Sequence, residues 1–470
     1  MRTVASWGPE QSDELEKSTM RRVAWRFLPV IVVTYFVAYV DRVNIGMVKA
    51  EMSHDIGLTS VGFGLASGLI FIGLILFEVP SNRMALRFGA RKWITRIMLS
   101  WGLVVIATSL VQTPGHLYIA RVLLGLGEAG MAPALFLFLG QWFPGRHRAA
   151  AFSALFLSIP IAMAFGSPLT GWLLESTHDA LGLPGWRWVF LIEGAAALAV
   201  APLVFILLAD TPARAGWLRE DQRAWLDARL AEEHEQRKAG APHSFWRALT
   251  DRRVLLLSAI FLLLGYGTNA MVYWLPTIVR NATVNLSPLR VGLVSATPFV
   301  VAAGAIVLVG YVARRVGNRR SVLLAPVLVS LVGFVGAMLL LHQIVFAMAL
   351  ICLALGGALA AQPQFWTLPT GYLTGASAAG GIAMINSVNN VGGFAAPYTF
   401  GWLTQASGGS ALPFLVMASA QALAAILIVV AYRRRGPAVH GAGSPGSPGS
   451  DPGGAGLGQP PGRRPGAALD

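Results

Sequence analysis

Arg87-Phe88-Gly89-Ala90-Arg91 and Arg315-Val316-Gly317-Asn318-Arg319 decide the fold: one short basic loop is written twice, 228 residues apart. Each copy follows one apolar run and precedes another. A second pair keeps nearly the same offset. Pro168-Leu169-Thr170-Gly171-Trp172-Leu173 is echoed by Pro397-Tyr398-Thr399-Phe400-Gly401-Trp402-Leu403, with the tryptophans 230 residues apart. Two unrelated motifs sharing an offset point to an internal duplication. Parallel repeats of this kind place their working site at the interface between halves, near the bilayer midplane.

Around these loops, runs of about 20 apolar residues, enough to span a bilayer, fall at 25–47, 61–81, 93–112, 117–140, 149–172 and 187–209. After a polar stretch come 254–279, 290–312, 321–341, 345–368, 377–402 and 411–432. Backbone in hydrocarbon must satisfy its hydrogen bonds internally, so all twelve are expected to be helices. The sequence thus divides into a polar N-terminus (1–24), a six-helix half (25–209), a linker (210–253), a second half (254–433) and a tail (434–470). Within the linker, Arg219 to His234 reads as a surface amphipathic helix. The Gly/Pro/Ser-rich tail is expected to be disordered.

Of the 470 residues, 55% are hydrophobic and 12% charged, against about 25% charged in soluble domains. The net charge of +14 sits in short clusters between apolar runs, which excludes a nucleic-acid groove and sets topology instead. Lys17, Arg21, Arg22 and Arg26, then Arg83, Arg87, Arg91 and Lys92, Arg146 and Arg148, Arg314, Arg315, Arg319 and Arg320, and Arg433 to Arg435 all fall on one side. Loops 112–117, 342–345 and 403–411 carry no Lys or Arg. Both termini are therefore expected in the cytoplasm of a bacterial inner membrane. No signal peptide is visible, and the single cysteine, Cys352, excludes an intramolecular disulfide. No phosphate loop, His/Cys cluster, metal site or catalytic constellation is found, so an enzyme is not expected.

An ionisable group at membrane depth is expensive and reads as functional. The first half carries Asp41, Arg42, Glu78, Arg121 and Glu128; the second offers only polar and aromatic groups at the equivalent places. From helical rise, Arg42 lies roughly 24 Å from the basic face, Arg121 at a similar level, and Glu128 about 10 Å below. Glu78 is expected to pair with Arg83 or Arg87 at the membrane surface, Arg96 to join the basic cluster, and Glu193 to help close the outer end. In the second half Asn269, Tyr273, Gln364, Trp366, Asn386 and Asn390 are candidate contacts, with Tyr266, Trp274 and Asn389 beside them. Gly265 and Gly267 are expected to bend or break their helix.

The Arg-x-Gly-x-Arg loops resemble the signature of the major facilitator superfamily, although Leu86 and Arg314 stand where that signature usually has an acid. Further stretches resemble the anion:cation symporter family within it. They are Tyr39-Val-Asp41-Arg42-Val-Asn44-Ile-Gly46, Phe77-Glu78-Val-Pro80-Ser-Asn82, Arg121-Val-Leu-Leu-Gly125-Leu-Gly127-Glu128-Ala-Gly130, Gln141-Trp142-Phe-Pro144, Trp186-Arg187-Trp188-Val-Phe-Leu-Ile-Glu193-Gly194 and Asn386-Ser-Val-Asn389-Asn390-Val-Gly392-Gly393. The resemblance implies an all-α major facilitator fold and proton-driven import of an organic anion such as a sugar acid or aromatic acid. It implies no cofactor beyond the coupling proton, no partner beyond lipid and substrate, and a monomer. Arg42 would then hold the substrate carboxylate, with Tyr39 beside it. Glu128 would carry the proton, and Asp41 would pair with Arg121 and carry a second. Export of amphipathic compounds by proton antiport and sensing without transport are the alternatives.

Overall fold

Every described element is helical, as internal hydrogen bonding in lipid demands. The computed structural model describes residues 9–212, 215–238, 251–283, 286–316, 318–370 and 375–433. In the first half these are α1 (Pro9–Ile56), α2 (Ser60–Phe88), α3 (Ala90–Thr108), α4 (Pro114–Glu128), α5 (Met131–Trp142), α6 (Gly145–Ser176) and α7 (Gly185–Leu207). The connection holds α8 (Glu220–Lys238). The second half has α9 (Arg252–Ala282), α10 (Pro288–Arg315), α11 (Arg319–Leu339), α12 (Ile344–Phe365), α13 (Thr367–Thr370), α14 (Gly375–Ser407) and α15 (Ala411–Arg433). Taking α4 and α5 as one segment, ten are long and apolar enough to cross a membrane. The other two runs read from the sequence are α3, which begins with three cations, and α14. Gly317 and the 434–470 tail lie outside the described residues.

The fourth predicted span is broken. α4 stops at Glu128, and Gly130 adopts φ 86°, a left-handed conformation that a side chain would strain. Space enforces the same choice, because a Cβ at Gly130 would collide with Ser81 Oγ. That hydroxyl donates to Ala129 O at 2.6 Å, satisfying a carbonyl freed by the break. The opposite correction applies to α9, which runs unbroken through Gly265 and Gly267. There Gly267 packs on Phe334 instead.

In the first basic loop, Gly89 takes φ 88° between α2 and α3. The acid absent at Leu86 arrives from elsewhere in the chain. Asp210, just beyond α7, accepts from Arg91 N at 3.2 Å and lies 3.6 Å from Arg91 Nε. Around the same end, α8 is tied to the bundle: Glu233 accepts from Gly145 N and Arg148, and Gln222 meets Ser18 and Arg22.

The two halves meet through α2 with α14, α6 with α10, and α1 with α9. Those pairings exchange when the halves are swapped, as a duplicated fold requires. The close approaches lie toward the end opposite the chain termini, here the far end. A Cβ at Gly68 would sit 2.7 Å from Phe394 O, and Gly64 faces Pro397 O. Gly401 abuts Ser60 O, while Gly171 and Gly292 abut Pro288 O and Ser167 O across the other seam. Such seams are built from small residues because lipid offers no hydrophobic force to join helices. Within the first half, Gly73 and Gly125 let α2 and α4 touch backbone to backbone. Gly125→Val would drive a side chain into Ile70 O. Overpacking of this kind costs about 1–3 kcal/mol, so a lower melting temperature is expected by size-exclusion thermal shift in detergent.

Candidate functional site

α1 supplies most of the chemistry. Its length carries Tyr39, Asp41, Arg42, Asn44 and Lys49 through the middle of the bundle, and its 3.6-residue turn deals them to different neighbours. Arg42 and Asp41 are adjacent, so they point apart, and each has its own partners.

Arg42 pairs directly with Glu128 of α4 through Nη2 and Oε1. The guanidinium also lies 4.9 Å from the Tyr39 ring centroid, a cation–π contact. Helical rise alone puts Glu128 about 10 Å below the cations. Two long side chains bridge that separation and meet instead. Their side chains are 19% and 5% exposed, so the pair is open on the guanidinium side and closed on the carboxylate side. Arg42 Nε and Glu128 Oε2 have no partner among the described residues.

Asp41 does not form the expected ion pair with Arg121. Its Oδ2 accepts from Trp101 Nε1 at 3.1 Å and its Oδ1 from Asn44 Nδ2 at 3.1 Å. Arg121 is 1% exposed and donates through Nε to Ala66 O at 3.3 Å; Nη1 and Nη2 have no partner among the described residues. It remains within electrostatic range of Asp41 and of Tyr273. Tyr273 on α9 is buried and within range of Arg42, Glu128 and Tyr39 as well. It therefore closes the site from the second half. One turn beyond Arg42, a Cβ on Gly46 would sit 2.7 Å from Tyr273 O, so α1 and α9 seal the site toward the far end.

Glu78 overturns its expected role. It bonds neither Arg83 nor Arg87 but accepts from Asn390 Nδ2 at 3.2 Å, joining α2 to α14 across the halves. Arg96 makes contacts of its own beside the first basic loop. It stacks 4.4 Å from Trp93 and reaches Gly127 O, a carbonyl at the C-terminal end of α4, where a cation is favoured. Asn269 and Asn389 face each other over Gly265, and Asn389 Oδ1 is unpartnered among the described residues. Asn386 and Gln364 are half-buried. Trp366 sits elsewhere, edge-to-face with Phe261 at 5.1 Å and with Phe365 at 5.6 Å in the smaller apolar cluster of the second half. Tyr266 bonds Thr399, and Trp274 donates to Pro397 O at 3.1 Å, so both knit α9 to α14.

Lys49 has no place among the candidates read from the sequence, and Glu193 has a different one from that expected. Lys49, half-buried, holds its Nζ 3.9 Å from the Trp274 ring and 5.0 Å from Phe63. Seven residues from Arg42, it shares that helix face, and this spacing was the available signal. Glu193, expected at the outer closure, is instead joined to Asp41 through Asn44. No local pattern on α7 announces that contact. Lys49→Ala removes a cation held across the seam, and faster labelling of a cysteine replacing the buried Ser67 of α2 is expected from the far side of the membrane.

The chain matches the Major Facilitator Superfamily over residues 31–373 and 281–459. It is 37% identical over 428 residues to a putative tartrate transporter of Agrobacterium vitis, covering 90% of this chain and 96% of that protein. A quinolone resistance transporter of Acinetobacter baumannii is 36% identical over 430 residues, with the same 90% and 96% coverage. Among solved structures, a partially occluded inward-open xylose transporter from E. coli superposes with a TM-score of 0.71. It shares 14% identity over 90% of this chain and all of that one, a likeness of fold.

Proposed function

Because the chain belongs to the major facilitator superfamily and is a transporter rather than an enzyme, we propose that it imports an organic carboxylate together with protons by alternating access. The carrying observation is the Arg42–Glu128 pair. A guanidinium fork matches a carboxylate in bidentate geometry. An incoming carboxylate and Glu128 therefore compete for one cation. Glu128 displaced from Arg42 would be a buried charge without a partner, which is costly, and a proton removes that cost. Substrate and proton are thus taken together, and Glu128 regains Arg42 when both leave. Tyr39 and Tyr273 would flank the substrate, and Asn269, Asn386 and Asn390 would read its remaining polar groups. Trp366 and Gln364 lie toward the terminal end, where the cavity walls would pass the substrate on. Cytoplasmic termini in a bacterial inner membrane complete the reading, with the monomer as the transporting unit. The relative named for tartrate supports a carboxylate.

Uptake of labelled tartrate, a sugar acid and hydroxyphenylacetate into right-side-out vesicles tests this. Concentrative uptake of at least one, abolished by a protonophore, is expected. The relative named for quinolone resistance favours a second reading, proton-antiport export. Quinolone accumulation in everted vesicles with no acid uptake would replace the first reading by the second.

Two carboxyls, Asp41 and Glu128, lie near the proposed path, so more than one proton per monoanion is expected. Such a cycle carries positive charge inward, and a membrane potential adds about 2.3 kcal/mol per 100 mV. Solid-supported membrane recording should show an inward positive current when a transported monoanion is applied. Absence of current would leave electroneutral, one-proton symport.

A further inference from the structure

We infer that Glu193 is a proton-binding residue of this transporter, coupled to Asp41 through the Asn44 side chain, and that it carries a proton in the conformation described. The inference rests on the proton-coupled reading only for its consequence in transport. Asn44 Nδ2 donates to both carboxyls, to Asp41 Oδ1 at 3.1 Å and to Glu193 Oε2. The other Glu193 oxygen accepts from Thr170 Oγ1 at 3.1 Å. All four residues are buried: Asp41 is 2% exposed, Glu193 6%, Asn44 and Thr170 0%. Two carboxyls sharing one neutral amide nitrogen at membrane depth cannot both be ionised without strong repulsion.

Charge balance decides which one holds the proton. Around Asn44 and Arg42 lie three buried carboxyls, Asp41, Glu128 and Glu193, against two guanidiniums, the buried Arg121 and the partly open Arg42. Glu128 has Arg42, and Asp41 has the field of Arg121 and the Trp101 indole. Glu193 has only neutral donors, and no ion pair involves it among the described residues. One proton makes the centre neutral, and Glu193 is where it belongs. The elements packed on α7 supply no competing charge. α1 presents Asp41, α6 presents Thr170, and α3 presents Gly102 and Ile106 beside Gly194. Arg187 and Glu51, toward the far end, are engaged by Asp55 and by Trp186 N.

Asp41 and Glu193 therefore titrate as a pair. In transport, Glu128 would take one proton as it leaves Arg42, and the Asp41–Glu193 pair would supply the site for another. Asp41 need not break from Arg121 to do so, since the two are not in contact.

Infrared difference spectroscopy of the purified full-length protein, titrated with pH and without substrate, tests this independently of transport. A protonated carboxylic acid gives a carbonyl stretch resolved from ionised carboxylates. That band is expected in the wild type and lost in Glu193→Gln, whose amide oxygen can still accept from Asn44 Nδ2 while its amide nitrogen donates to Thr170 Oγ1. In Asp41→Asn, with the neighbouring negative charge gone, the band should disappear at lower pH than in the wild type. Thr170→Val provides a check should Glu193→Gln fold poorly, because removing the hydroxyl bond should raise the band's frequency. A band unchanged in Glu193→Gln, or unmoved in Thr170→Val, overturns the assignment. A band that is lost in Glu193→Gln but has the same midpoint in Asp41→Asn overturns the coupling. Failure of either kind leaves carboxylate symport standing, and a failed uptake assay leaves the band in place.

Discussion

Arg42→Lys is expected to reduce substrate uptake by about two orders of magnitude or more while the protein reaches the membrane in normal amount. The scale comes from losing a buried, charge-assisted contact, roughly 2–5 kcal/mol, at about tenfold per 1.4 kcal/mol. Lysine keeps the charge, so Glu128 is not left buried without a cation, the defect that would unfold the site. What lysine loses is the planar fork and the stacking on Tyr39. An ammonium can satisfy Glu128 or a substrate carboxylate as a point charge, but it cannot hold a carboxylate in a fixed plane. Surface expression and the melting temperature in detergent should match the wild type, with initial uptake rates near background. Uptake close to wild type would remove Arg42 from the binding site and leave the pair as a structural tie between α1 and α4. Arg42→Ala would be a poorer test, since it mixes lost binding with an unpaired Glu128.

The duplicated Arg-x-Gly-x-Arg loops and the paired tryptophans made the two-half architecture legible, because repeats and apolar runs are properties of the chain itself. The positions of Arg42 and Glu128 were legible too, since charge at membrane depth stands out against 55% hydrophobic composition. Partnership was not. Helical rise treats α1 and α4 as upright rods, so it separated two side chains that in fact touch. Asp41 shows the same limit: its bonds go to Trp101 and Asn44, one of them on another helix and both invisible to depth. Glu78 looked like a surface partner for nearby arginines, yet its contact is Asn390, 312 residues away. Asp210 supplies the acid the basic loop lacks at Leu86. In each case the deciding quantity is which helices come into contact. That is fixed by small residues such as Gly46, Gly73 and Gly125, whose role shows only when the opposite backbone is in place.

Glu128→Gln is expected to separate binding from coupling. Glutamine has nearly the shape of a protonated glutamate, so the variant resembles the carrier already loaded with its proton. Substrate should still exchange across the membrane, because reorientation with substrate requires Arg42 to be occupied by a carboxylate rather than by Glu128. Accumulation should fail, because no proton is taken up or released at this position. A gradient of one pH unit is worth about 1.4 kcal/mol per proton, which corresponds to roughly tenfold accumulation for each proton coupled. In the variant, counterflow of labelled substrate in preloaded proteoliposomes should remain. The steady-state ratio under the same imposed gradient should fall toward unity. The pairing adds a signature that a remote proton site would not give. With no carboxylate competing for Arg42, substrate should bind more tightly, so the half-saturating concentration for exchange should fall rather than rise, and it should lose its dependence on pH. Unchanged accumulation would place coupling elsewhere, and the Asp41–Asn44–Glu193 cluster would be the remaining buried carboxyl group able to perform it. Lost exchange together with lost accumulation would mean that Arg42 needs Glu128 to stay in position, which makes the ion pair a scaffold for binding rather than the step that links substrate to proton.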